Sequence, residues 1–176
     1  MTAPWAIFEH RATGKRFFFV NVHLDPGKDA RTVNMRKKQM SQILKVIEAK
    51  NPQDLPTYVV GDFNSHKWTE GGNRPYDAMR KAGFVDPLGN VYKSTQTTSG
   101  ATAMKRINTH FSSHNAWSRS APVKPWVNGI YIDYIWTSKG VNVSEWETVV
   151  NVDKAGKFVG TIPSDHNMLR ATTVIR

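Results

Sequence analysis

Residues 57–64 read Thr57-Tyr58-Val59-Val60-Gly61-Asp62-Phe63-Asn64. A short apolar, β-branched run here ends in glycine and two polar residues. That pattern predicts a buried strand that delivers Asp62 and Asn64 at its C-terminal end, where α/β folds carry their chemistry. Upstream, Met40, Ile43, Leu44 and Ile47 recur at helical spacing between Arg31 and Lys50, with Lys and Gln opposite, and Pro52 and Pro56 close the segment. This is an amphipathic helix. Farther upstream, Trp5 to His10 and Arg16 to Leu24 are rich in aromatic and β-branched residues and flank Arg11-Ala12-Thr13-Gly14-Lys15, the signature of a β-hairpin.

Downstream, a short helix is expected from Pro75 to Ala82, closed by Gly83, and Leu88 to Arg106 is polar and loop-like. Ile130 to Trp136 is a dense run of β-formers. Val141 to Val152 alternates as its expected hairpin partner across Lys139-Gly140, and a last strand follows from Met168 to Ile175. The chain therefore reads as one α/β domain of mixed, largely antiparallel sheet, with no repeat and no internal linker.

Composition narrows the function classes. The 176 residues contain no cysteine, which excludes a disulfide framework, a thiol nucleophile and a thiolate metal site. No apolar run is long enough for a membrane span, and the first residues lack the pattern of a secretory signal. Lys and Arg outnumber Asp and Glu by 24 to 14, a formal charge of +10 that favours encounter with a polyanion such as nucleic acid or a phosphorylated headgroup. A solvated basic surface explains the charge equally well, as it does the helix face of Arg31, Arg36, Lys37, Lys38 and Lys45.

Four polar clusters fall at strand ends: Asn21/His23, Asp62/Asn64, Asp133 and Asp165/His166. Singly, each has an ordinary reading as a cap, a turn or a satisfied structural residue. Together, Asn-Val-His-Leu-Asp (21–25), Gly-Asp-Phe-Asn (61–64), Tyr-Ile-Asp-Tyr-Ile (131–135) and Ser-Asp-His-Asn (164–167) resemble, in order and context, the signature of the endonuclease/exonuclease/phosphatase superfamily. That group includes type I deoxyribonucleases, abasic-site endonucleases, neutral sphingomyelinases and inositol polyphosphate 5-phosphatases. The resemblance implies part of a four-layer α/β sandwich, two packed mixed sheets with outer helices.

The resemblance also implies roles. Asp62 would orient or deprotonate the attacking water, and Asn64 would hold a phosphate oxygen or the nucleophile. Asp165 would lie at the metal, Mg²⁺ or Mn²⁺, and His166 beside the scissile phosphate with Asp133 orienting it. His23 would be a second imidazole on the phosphate, while Asn21 and His66 would touch substrate. These roles suit phosphodiester hydrolysis, which needs an activated water and positive charge or donors at the phosphoryl oxygens. The implied activity is that of a metal-dependent phosphodiesterase, a nuclease first because of the charge and the paired histidines. A lipid or inositol-phosphate phosphodiesterase or phosphatase, and a non-catalytic nucleic-acid-binding relative, are the alternatives.

The superfamily's first strands, bearing an Asn and a metal-binding Glu, would precede the segment that matches Trp5. Residues 1–176 are thus expected to be a single, N-terminally truncated domain. Glu9, the sole acidic residue before His23, lies in the first hairpin and not in the expected setting. Trp117, Trp126, His110, His114, Arg119 and Lys124 occupy a stretch that would shape the substrate groove or pack it to the core, and Lys67 follows His66. Many bacterial relatives with such a segment look secreted, and secretion is the expectation here.

Overall fold

The structure, a computed structural model, describes residues 3–66, 74–89, 105–121 and 129–175. Lys67, Lys124, Trp126 and residues 90–104 of the polar loop lie outside them.

The hairpin forms as the sequence predicts: β1 (Trp5–Glu9) pairs antiparallel with β2 (Arg16–His23). In β2 the even-numbered Phe18, Val20 and Val22 are buried on one face, so Phe17, Phe19, Asn21 and His23 look the other way. The helix α1 (Ala30–Lys50) starts where Asp29 accepts the Thr32 amide at 3.0 Å, and it stops at Asn51, whose amide brackets the Pro-containing turn through Leu55. Met40, Ile43 and Ile47 bury its apolar stripe against β2 and β3 (Thr57–Asp62). Each such burial stabilises by roughly 1.5–3 kcal/mol. The short helix α2 (Arg74–Lys81) adds Tyr76 and Met79 to the same core, over Tyr134 and Trp136.

Arg36, expected on the solvated basic face, is buried. Its guanidinium donates to the carbonyls of Asp25 and Gly27 at 2.8 and 2.5 Å and so ties the loop after β2 to α1.

The first sheet runs β1-β2-β3-β5, with β2 and β3 parallel and β5 (Asp133–Thr137) antiparallel to β3. The second runs β4-β6-β7, from Lys105–Ile107, Val141–Val149 and Met168–Ile175. This is the two-sheet α/β sandwich that was expected, with three of its layers in the described residues. α1 and α2 cover the first sheet, Phe17, Phe19, Tyr58, Val60 and Ile135 face Leu169, Ala171 and Thr173 between the sheets, and the Tyr58 hydroxyl meets Thr173 Oγ1 at 2.9 Å. The outer face of the second sheet is charged instead of helix-covered among the described residues. Lys105, Glu145, Arg170 and Glu147 form a ladder of ion pairs there. Strands β1 and β7 each end their sheet.

One expectation fails. β6 is not the hairpin partner of β5; it joins the other sheet, beside β7 and β4. The free edge of β5 is already taken by Val85, which exchanges two backbone hydrogen bonds with Thr137, and Ser138 is held to Thr57 through both its amide and its hydroxyl. The chain then turns at Gly140, whose φ of 89° suits glycine, and carries Val143 and Trp146 into a separate core with Leu88 and Tyr131.

Candidate active site

Register builds the site. His23 lies opposite Asp62 across β2 and β3, and Asp62 lies opposite Asp133 across β3 and β5. Three adjacent strands therefore present His23, Asp62 and Asp133 in one row at the rim of the first sheet, on the face turned toward the second. Two carboxylates directly opposite repel each other unless cations intervene. The second sheet supplies one: His166, two residues before β7, reaches across with Nδ1 donating to Asp133 Oδ2 at 2.8 Å and Nε2 3.9 Å from Asp62 Oδ2. His23 Nε2 stands 3.6 Å from the same Asp62 oxygen.

Local geometry explains the residues between. At Gly61 φ is 123°, and its α-carbon is so close to β2 that a side chain would collide with the Val22 carbonyl. Asn64, also at positive φ (47°), donates its backbone amide to Asp62 Oδ1 at 2.6 Å and its side-chain amide to the Leu24 carbonyl at 2.8 Å. Asn64 thus fixes Asp62 and the end of β2 at once. Asp25, last residue of the first motif, accepts the Gly27 amide and shapes the turn into α1.

Electrostatics follow from the packing. Burial pushes the Asp62 carboxyl above the ordinary carboxylate range; the Asn64 amide opposes this, Asp133 adds to it, and His166 and His23 pull it back. Burial alone would lower His166, but its hydrogen bond to Asp133 and the charges of Asp133, Asp62 and Asp165 prevail, so the imidazolium form persists above its ordinary range. Burial lowers His66.

These groups line a cleft of about 1160 Å³, which brings together His23, Asp62, Asn64, His66, Asp133, Asp165 and His166. Asn21 is not in its lining; its side chain lies beside Gly61, one step along β2 from His23. His110 stacks on Phe111 and is likewise not in the lining, and Arg119 binds the Phe158 and Gly160 carbonyls. Trp117 does not pack the loop to the core, being 60% exposed.

Lys28 and Arg36 were not read from the sequence as cleft residues, and His114, expected in a stretch that shapes the groove or packs it to the core, does enter the cleft. Lys28 and Arg36 line one wall, and His114 faces His166 with ring centroids 4.9 Å apart. His114 arrives through a bridge between its backbone and that of His166, a pairing 52 residues apart that no local pattern announces. Ser113 is fully buried, and its hydroxyl accepts the amides of Ile132 and Asp133, pinning the start of β5.

The donor set suits a hard or borderline divalent cation. Asp62 and Asp133 are engaged as above, whereas the Asp165 carboxylate is 42% exposed to the cleft and holds one long contact, 3.5 Å, to Ser164 Oγ. Such an ion takes one or two protein carboxylates and fills its remaining positions with water or phosphate. The groups among the described residues that could hold a metal are Asp62, Asp133 and His166, and His114, Asp165 and His166; neither contains a glutamate. Glu9 sits opposite Arg16, at the far end of β2 from His23.

The class of protein is thus a two-sheet α/β sandwich with a row of carboxylates and imidazoles at its open rim. The chain belongs to the Endonuclease/Exonuclease/phosphatase family, whose sequence pattern matches residues 5–166. Among solved structures it is similar to an endonuclease/exonuclease/phosphatase of Bacteroides vulgatus, at 23% identity and a TM-score of 0.69, over 99% of this chain and 55% of that one. A mannosyl-6-phosphatase of Bacteroides thetaiotaomicron gives 22% and 0.65, over 97% and 56%. A variant of the Staphylococcus aureus beta toxin with bound magnesium ions gives 21% and 0.59, over 95% and 56%. This chain thus spans little more than half the length of those structures. Among curated proteins none matches the sequence.

Proposed function

We propose that this chain carries the acid–base groups of a metal-dependent phosphoester hydrolase, with the phosphodiester of nucleic acid as its substrate. The observation that carries the reading is the shared oxygen of Asp62, Oδ2, facing the Nε2 atoms of both His23 and His166 at 3.6 and 3.9 Å. Gaps of this length are bridged by a water lying off the line between the groups, which donates to the carboxylate and accepts from an imidazole N–H.

Asp62, raised by burial, is the better base for it, and accepts a proton from the attacking water. His166 has Nδ1 committed to Asp133, so its Nε2–H points at the phosphoryl group and meets the negative charge that builds there. His23, whose side chain is 72% exposed, contacts the phosphate from the other side. Asn64 keeps Asp62 in line through its amide. A divalent cation at Asp165, Mg²⁺ or Mn²⁺, supplies Lewis-acid charge to the phosphoryl oxygens when bound.

The +10 charge and an open cleft with Lys28 on its wall favour a polyanionic chain over a small ester. Supercoiled plasmid at low salt tests this. Nicking that requires the divalent cation and disappears in His166→Ala is expected. An intact plasmid beside hydrolysis of a sugar phosphate or a phospholipid headgroup would move the substrate to the small-ester alternatives. Salt-sensitive DNA binding with no hydrolysis of any ester would make this a binding relative.

A further inference from the structure

The cleft holds two imidazoles that the proposed hydrolysis does not use, His66 and His114, and the backbone on either side of His114 is held by hydrogen bonds to a second segment. Segments 113–115 and 165–167 are locked together: Asn115 N donates to the Asp165 carbonyl and Asn167 N to the Ser113 carbonyl, each at 2.7 Å. The side chains of buried Asn115 and Asn167 join at 3.0 Å and reach the Ser164 and Ser112 carbonyls. From this frame His114 and Asp165 project into the cleft with Nε2 and Oδ2 3.9 Å apart and both side chains over 40% exposed.

We propose that His114 and Asp165 together ligate one divalent ion, and that the imidazole biases the site toward a first-row transition metal, Mn²⁺ included, over Mg²⁺. The inference rests on the reading of Asp165 as a metal-holding carboxylate. Two ligand atoms each about 2.1 Å from one ion stand roughly 3.0–3.5 Å apart at octahedral or tetrahedral angles. The observed pair, at 3.9 Å, is about 0.4–0.9 Å wider, a gap that side-chain rotation of the two exposed groups can close. It is too wide for a hydrogen bond. His166 is left out of the pair because the proposed hydrolysis uses its Nε2 at the phosphoryl group, with Nδ1 held by Asp133. Imidazole nitrogen suits first-row transition metals; Mn²⁺ is the weakest of that row, yet it accepts nitrogen more readily than Mg²⁺ does, which is the origin of the bias.

Mn²⁺ and Mg²⁺ titrations of the 176-residue chain test it, with Mn²⁺ followed by electron paramagnetic resonance and its nitrogen couplings by electron spin echo. Wild type is expected to bind Mn²⁺ more tightly than Mg²⁺ and to show coupling to a ligated nitrogen. His114→Ala and His114→Gln should lose that coupling and about tenfold or more in Mn²⁺ affinity, with Mg²⁺ affinity nearly unchanged. Asp165→Asn should weaken both ions. Circular dichroism and thermal melting establish that each variant is folded. Mn²⁺ affinity in the His114 variants equal to wild type, nitrogen coupling that survives in them, or no Mn²⁺ binding by wild type would each overturn the proposal. These readouts do not involve turnover. Mn²⁺ binding through His114 without plasmid nicking would leave this inference standing and remove the nuclease reading, and the reverse pattern would do the opposite.

Discussion

Replacing Gly61 by alanine tests the link between the strand register and the site. A β-carbon at this position would lie 2.0 Å from the Val22 carbonyl oxygen and 2.7 Å from Asn21 Oδ1, where ordinary contacts begin at 3.4 Å. The obstacle is backbone in the paired strand, so β2 and β3 must separate or Gly61 must rotate. Rotation away from φ 123° removes the strain but swings Asp62 out of the row. Positive-φ strain costs about 1–3 kcal/mol, and overpacking about 1–3 kcal/mol more. The sum, near 4 kcal/mol, is a large share of the roughly 5–15 kcal/mol that holds a domain folded. It corresponds to a fall in Tm of about 8–16 °C for a chain of this size. Thermal and urea unfolding measure it directly. Where the variant remains folded, displacement of Asp62 by about 1 Å is expected to cost on the order of 100-fold in turnover. A Gly61→Ala protein that melts within about 2 °C of wild type would refute the reasoning, because the carbonyl clash could not then exist.

Asp133→Asn should lower the pKa of His166, since the hydrogen bond and charge that hold it up are removed while the burial that pushes it down remains. Asp62 and Asp165 still raise it in the variant, so the midpoint is expected to fall relative to wild type, which a proton NMR titration of the His166 ring resolves; an unchanged midpoint would contradict the assignment. Arg36→Ala removes the donor to two loop carbonyls and should destabilise by about 2–4 kcal/mol, read as a lower urea midpoint with similar slope. DNA binding, measured by fluorescence anisotropy, should weaken by about tenfold or more from 50 to 200 mM salt, as two or more phosphate contacts require; salt-independent binding would argue against the basic surface as the docking face.

Much of this fold was legible because its elements are locally overdetermined. The alternation of Phe18, Val20 and Val22, the i, i+3, i+7 spacing of Met40, Ile43 and Ile47, and the apolar run into Gly61-Asp62 each specify an element without reference to the rest of the chain. The placement of β6 was not legible. Its alternation with β5 across Lys139-Gly140 is what a hairpin looks like, and only the occupation of the β5 edge by Val85 sends it to the other sheet.

The site divides in the same way. Residue type and order along the chain put His23, Asp62 and Asp133 at strand ends and Asn64, Asp165 and His166 within three residues of one, and all six line the cleft. Tertiary structure alone decided how they meet. Strand register set His23, Asp62 and Asp133 side by side, the approach of the second sheet brought His166 onto Asp133, and the bridge between residues 114 and 166 carried His114 to Asp165. Sequence periodicity reports which face a side chain takes within its own element. The distances between elements come from backbone pairing across long separations, and that pairing is written in no single stretch of the chain.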